Sequence, residues 1–144
     1  MPLLNVAVTG KPDAQRSLEI ATKLTDLTNL HLGKDPALTA VKIEYVDADH
    51  WFVGSQALNG QAMSGQKSNS FSLHISITEG TNTKPQIGTY IEAVFSQMSD
   101  SLGAVRDESY IVVDEVPAAA WGYAGKTQEF RYIAGQVSSK TGDS

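Results

Sequence analysis

Apolar and polar positions first alternate, then recur every three to four residues, then alternate again, and the chain runs through this cycle twice. Leu3-Leu4-Asn5-Val6-Ala7-Val8 is a short apolar run with the composition of a strand. Thr9-Gly10-Lys11-Pro12-Asp13 breaks it, and Pro12 predicts the first turn of a helix, where its missing N–H costs nothing. Leu18, Ala21, Leu24, Leu27 and Thr28 follow at helical spacing, flanked by Ile20 and Leu30. Leu32-Gly33 closes that helix, with Gly33 suited to a left-handed cap, and Pro36 comes soon after. Val41-Lys42-Ile43-Glu44-Tyr45 alternates again, as a half-buried strand does, and Asp47 to Ser55 reads as a loop carrying Trp51.

The second cycle opens with Phe71-Ser72-Leu73-His74-Ile75-Ser76-Ile77, a clean period of two. Glu79-Gly80-Thr81-Asn82-Thr83 breaks it, and Ile87, Tyr90, Ile91, Val94, Phe95 and Met98 form a helix face. Leu102-Gly103 ends the helix, Tyr110 to Val113 is a strand, and Val116 to Gly125 is a loop holding Trp121. Arg131 to Ala134 predicts a short last element, and the polar stretch from Gln136 to Ser144 predicts a frayed tail.

The two cycles are one unit repeated. The only tryptophans, Trp51 and Trp121, lie seventy positions apart, and the same offset relates Leu3 to Leu73, Gly10 to Gly80, Leu32-Gly33 to Leu102-Gly103 and Val46 to Val116. Repeats fix architecture, so they are read before other features. Two βαβ units with right-handed crossovers predict an α+β fold: one four-stranded sheet with two helices on one face. A single domain over 1–135 divides into repeat one (2–57), a Gly/Ser/Gln/Asn-rich linker (58–69) and repeat two (70–134), with 136–144 as tail. The bare sheet face, expected to be apolar, calls for a partner, and closed symmetric oligomers are the common answer.

Composition narrows the chemistry. A net charge of −5 argues against a nucleic-acid partner, and the absence of cysteine removes disulfide and thiolate chemistry. No apolar run approaches ~18 residues, which argues against a membrane partner, and the N-terminus lacks a basic leader, so a cytoplasmic location is expected. No glycine-rich nucleotide motif is present, and His31, His50 and His74 share no metal-like spacing. No cofactor and no metal are expected.

Pro2 carries the chemistry. If Met1 is removed, Pro2 becomes a secondary amine at a sheet edge. An α-amino group titrates near ~7.7–8.0, and apolar burial or a neighbouring cation pulls that value down. Such an amine is a general base that needs no side chain. The competing reading is that proline at the second position has no chemical role.

These pieces together resemble the tautomerase superfamily, typified by 4-oxalocrotonate tautomerase and macrophage migration inhibitory factor. The resemblance covers about residues 2–125. It rests on Pro2, Thr9-Gly10-Lys11, Leu32-Gly33-Lys34-Asp35-Pro36, Val41-Lys42-Ile43 and Trp51-Phe52-Val53-Gly54-Ser55 in the first repeat. In the second it rests on Glu79-Gly80-Thr81-Asn82, Leu102-Gly103, Ser109-Tyr110-Ile111 and Trp121-Gly122-Tyr123-Ala124-Gly125. It implies a keto–enol isomerase acting on a small 2-hydroxy-alkenoate or 2-oxo acid, with Pro2, Lys34 and Tyr110 as catalytic residues. Lys11, Lys42, Trp51 and His74 would bind the substrate carboxylate or wall the site, and the protein would be a homotrimer with Tyr110 lent by a neighbour. The second repeat has Thr81 and Tyr110 where arginines would stand, and Ser72 or its neighbours where a second proline would stand. One site per chain follows. Two other readings stay open: a non-catalytic small-molecule or protein-binding member of the same fold, and a related decarboxylase or hydratase. His74 faces away from the helices, which suits an interface hydrogen bond as well as a substrate contact.

Overall fold

The structure, a computed structural model, describes residues 2–61 and 67–142. Strand β1 (Leu3–Thr9) leads through helix α1 (Ala14–Leu32) to β2 (Ala40–Val46), and β5 (Phe71–Thr78) leads through α3 (Lys84–Leu102) to β6 (Tyr110–Val116). A hairpin follows each unit: β3 (Phe52–Val53) with β4 (Gln56–Ala57), and β7 (Gly122–Tyr123) with β8 (Lys126–Thr127). A short helix α2 (Leu58–Gln61) follows the first hairpin, and a longer α4 (Gln128–Gly142) follows the second.

The sheet order is β2-β1-β5-β6. Each βαβ pair is parallel, and the two central strands run antiparallel, with Leu3 opposite Ser76 and Ala7 opposite Ser72. Both helices cover one face. Leu4, Val6 and Val8 of β1 and Leu73, Ile75 and Ile77 of β5 are buried beneath them. The helices meet each other through matching rows four residues apart: Ile20, Leu24, Thr28 and Leu32 on α1, and Tyr90, Val94, Met98 and Leu102 on α3.

The inward face of α1 differs from the one its periodicity predicts. Leu18 is 68% exposed and Leu30 is 74% exposed. The three-residue steps through Leu18 and the four-residue steps through Ile20 cross at Leu24. The sheet and α3 select the second row, because ridges of four-residue steps interlock between helices. That places a hydroxyl in the core. Thr28 Oγ1 donates to the Leu24 carbonyl at 2.7 Å and meets the Tyr90 hydroxyl at 2.9 Å, so neither is left unpaired. Burial pushes the Tyr90 phenol up to about 12.

Three further expectations change. Asp13, not Pro12, begins α1: its carboxylate accepts from the Gln15 and Arg16 amides, and Pro12 stands outside the helix. From Gln136 the chain continues α4 to Gly142, and Leu58, first of the expected linker, is fully buried in α2. The rest of that linker at 62–66 and the chain end at 143–144 lie outside the described residues. The bare sheet face is mixed rather than apolar: Asn5, Lys42, Glu44, Ser72, His74, Ser76 and Asp114 stand on it among Leu3, Ala7, Ala40, Tyr110 and Val112.

Candidate active site

Pro2 is buried at the entrance of β1, and its carbonyl accepts from the Ala40 amide at 3.2 Å. Because β1 is antiparallel to β5, the start of the first repeat lies beside the end of the second. One step beyond the Leu3–Ser76 pair, Pro2 comes opposite Ile77, and Thr78 is the next residue of β5. The residues at this edge therefore come from the loops that leave β5 and β6, together with the turn after α1.

Lys34 enters from that turn, two residues beyond α1, where a cation also suits the helix C-terminus. Its Nζ donates to Thr81 Oγ1 at 2.9 Å. Thr81 in turn donates its hydroxyl proton to the Thr78 carbonyl at 2.6 Å. Thr78 also holds Trp121, whose indole Nε1 donates to Thr78 Oγ1 at 3.2 Å. Asn82 ties the same turn to α1 through the Leu32 carbonyl at 3.0 Å. Desolvation lowers the Lys34 ammonium below its ordinary value. The half-buried Lys34 ammonium, the Trp121 indole and the Thr78 and Thr81 hydroxyls thus gather at the end of β5 that the register sets beside Pro2.

The other residues singled out from the sequence lie elsewhere in the protomer. Lys11 follows the exit end of β1, and Trp51 lies beyond the end of β2 on that same far side. Tyr110 opens β6 opposite Ser72, which faces Ala7, so it stands roughly 17 Å from Pro2 along the sheet at ~3.3 Å per strand residue. Its side chain is 67% exposed in the protomer. Lys42 and His74 flank Asn5 in the middle of the bare face, around a depression of about 310 Å³ that Glu44 and Ser72 complete. His74 Nδ1 lies 3.6 Å from Asp114 Oδ2. Of the expected set, then, the protomer brings only Lys34 to the Pro2 edge.

Thr78, Thr81 and Trp121 are the additions. Their signal was the duplication itself. Two repeats joined through antiparallel central strands exchange ends, so each repeat's closing loop attends the other's opening strand. Trp121, not Trp51, is consequently the tryptophan at the Pro2 edge.

The second repeat has no comparable opening. Thr9 pairs with Val46 and Thr78 with Val116, so Thr9 corresponds to Thr78 and Pro2 to Phe71, not Ser72. The seventy-residue offset slips by one in these strands. It aligned Leu3, on the bare face, with Leu73, in the core, and a one-residue slip exchanges the two faces. At the Phe71 entrance a hydroxyl network seals the backbone. Ser70 N donates to Thr9 Oγ1 at 3.0 Å, Thr9 N donates to the Ser70 carbonyl at 3.1 Å, and Ser70 Oγ meets Ser109 Oγ at 3.1 Å.

Among the described residues no group of three His, Cys, Asp or Glu side chains could hold a metal ion. No described helix is long and apolar enough to cross a membrane.

No family model matches the chain, and no curated protein matches it significantly. Solved structures do. Pt0534 inactivated by 2-oxo-3-pentynoate is 16% identical, with a TM-score of 0.75 over 90% of this chain and 98% of that one. The Q0 fused 4-OT wild-type symmetric trimer is 18% identical, with a TM-score of 0.74 over 88% and 96%. A macrophage migration inhibitory factor-like protein from Entamoeba histolytica is 16% identical, with a TM-score of 0.68 over 88% and 97%. At these identities the likeness defines the fold: an α+β, tautomerase-like sheet of two βαβ repeats. Among such structures this chain has the layout of the fused, two-repeat kind.

Proposed function

We propose that this chain is a fused tautomerase that moves a proton between the enol oxygen and a carbon of a small 2-hydroxy-alkenoate or 2-oxo acid. The observation that supports the reading is that the strand register sets Pro2 beside the end of β5, and the Lys34 ammonium binds Thr81 in the turn that leaves that end. With Met1 removed, the Pro2 amine takes the proton from the enol hydroxyl. As the carbonyl forms, the alkene electron pair shifts to carbon, and the protonated amine delivers its proton there. Burial favours the neutral amine, and the Lys34 ammonium beside it does the same. Lys34 also pairs with the substrate carboxylate, with Trp121 as an apolar wall. One cation delivered as a point charge suits a monoacid better than a diacid, which a bidentate arginine pair would hold.

The assembly we propose is a homotrimer, the state named for the Q0 fused 4-OT structure. In it Tyr110, exposed and remote from Pro2 in its own protomer, reaches a neighbour's site. The test combines mass spectrometry of the N-terminus with a phenylenolpyruvate ketonisation assay. Processed protein should be active, and protein blocked at Pro2 should not. Equal activity in both removes Pro2 as the base, and no activity in either leaves a binding module.

A further inference from the structure

The resemblance expects an arginine after the glycine that ends the first strand of each repeat, and in the second repeat a threonine, Thr81, stands there. Thr81 is not a passive replacement. Its single hydroxyl proton goes to the Thr78 carbonyl at 2.6 Å, with Asn82 Oδ1 a second and longer acceptor at 3.4 Å, and with either acceptor its lone pairs are left for the Lys34 ammonium at 2.9 Å. The turn that carries it is fixed at both ends: Asn82 binds the Leu32 carbonyl, and Thr83 forms a reciprocal cap with Gln86. An ammonium has three donors, and Thr81 takes one. Among the described residues nothing else accepts from it, so the other two can meet a ligand.

We propose that Thr81 is a positioning residue: its hydroxyl holds the Lys34 ammonium at the Pro2 edge, so that a lysine from the first repeat supplies the charge that an arginine of the second would have supplied. Thr78 is the common support, since its carbonyl fixes Thr81 and its hydroxyl fixes the Trp121 indole. The cation and the aromatic wall are therefore held by one strand residue, next in sequence to the residue opposite Pro2. A free lysine side chain carries substantial rotamer entropy. Pinning its end in the unliganded protein removes part of that cost from ligand binding.

This inference rests on the proposed site but can be read without turnover. Thr81→Val keeps the shape and deletes the hydroxyl, while Thr81→Ser keeps the hydroxyl. In protein labelled with ¹³C at lysine Cε, the Lys34 resonance of wild type should titrate below the ordinary lysine value. In Thr81→Val it should move up toward that value, as the ammonium swings into water, and in Thr81→Ser it should stay low. Affinity for phenylpyruvate, followed on the same resonance, should fall three- to tenfold in Thr81→Val, the worth of one hydrogen bond. In the ketonisation assay KM should rise by that factor with kcat nearly unchanged, and serine should restore it. A Thr81→Val protein with wild-type titration and affinity overturns the proposal, and so does a Thr81→Ser protein as impaired as valine. If wild type shows no proline-dependent turnover, the enzyme reading fails, while titration and affinity still decide the role of Thr81.

Discussion

The Trp121 indole donates to the Thr78 hydroxyl at 3.2 Å, across 43 residues of sequence, and so stands at the edge where the chain begins. Trp51, its repeat partner, closes the opposite end of the sheet.

The two tryptophans should therefore separate in function. Trp121→Phe removes the indole N–H and part of the wall, and should lower kcat/KM for phenylenolpyruvate about tenfold, close to the worth of one hydrogen bond. Trp51→Phe should change it little in the same assay. In Trp51→Phe protein, phenylpyruvate should still perturb the remaining tryptophan fluorescence.

Pro2→Ala keeps an amine but loses the ring that fixes it. Removing a positioned acid–base group costs ~10²–10⁴-fold, and this partial loss should fall at the lower end. An N-terminal extension that leaves an amide nitrogen should cost more. Both are read as kcat/KM, with the N-terminal mass verified.

Lys34 gives a pH signature of its own. Its folded value is lowered by desolvation, so between that value and 10.5 the folded protein holds fewer protons than the unfolded chain. Stability then rises with pH through this window, because burying the ammonium no longer opposes folding. Carboxylate affinity moves the other way and falls as Lys34 loses its proton. Lys34→Met should abolish that dependence of affinity and leave the protein no less stable at neutral pH. Denaturant melts and ligand titrations across alkaline pH check both.

Tyr90 has the opposite sign. Its folded value is about 12 against 10.0 for the free phenol. Its contribution is complete below pH 10 and is lost as pH climbs from there to about 12, a change of roughly 2–3 kcal/mol at ~1.36 kcal/mol per unit. Tyr90→Phe should remove that alkaline loss. It should cost little at pH 7, because Thr28 keeps its bond to the Leu24 carbonyl.

Leu24 and Leu18 test which face of α1 is buried. Leu24→Ala empties a fully buried position and should destabilise by ~2–5 kcal/mol. Leu18→Ala changes a side chain that is 68% exposed and should shift denaturant midpoints little.

The two βαβ units and the helix-covered sheet were legible in the sequence, because alternation in β5 and the Tyr90–Val94–Met98 row leave little choice of face, whereas the two-residue hairpin strands, α2 and the length of α4 are too short or too polar to show as periodicity. The face of α1 was less so: two hydrophobic rows share Leu24, and only contact with α3 selects between them. The site was legible in its chemistry but not in its placement. In the protomer Lys34 and Trp121 reach the turn and strand end that the register sets beside Pro2, while Trp51 lies at the other end of the sheet, and an offset along the chain says nothing about which ends meet. Antiparallel pairing of β1 with β5 decides that, and pairing between strands some seventy residues apart is a tertiary property. The one-residue slip that moved Ser72 into the place of Phe71 has a local cause. The loop from Glu79 to Asn82 is one residue longer than the loop from Gly10 to Pro12, so the helices and the closing strands β2 and β6 keep the offset while the opening strands β1 and β5 do not.

The hydroxyl seam of Thr9, Ser70 and Ser109 has a consequence for how such a duplicated chain can change. A seam closed by backbone and small side chains makes no demand for a reactive terminus, so the Phe71 end is free to drift while the Pro2 end is held. The constraint does not divide along the repeats, however. Thr78, Thr81 and Trp121 belong to the half without an amine, and Lys34 to the half without the indole. Two such halves made as separate polypeptides would regain the edge only by finding each other, and neither could be replaced by a second copy of its partner.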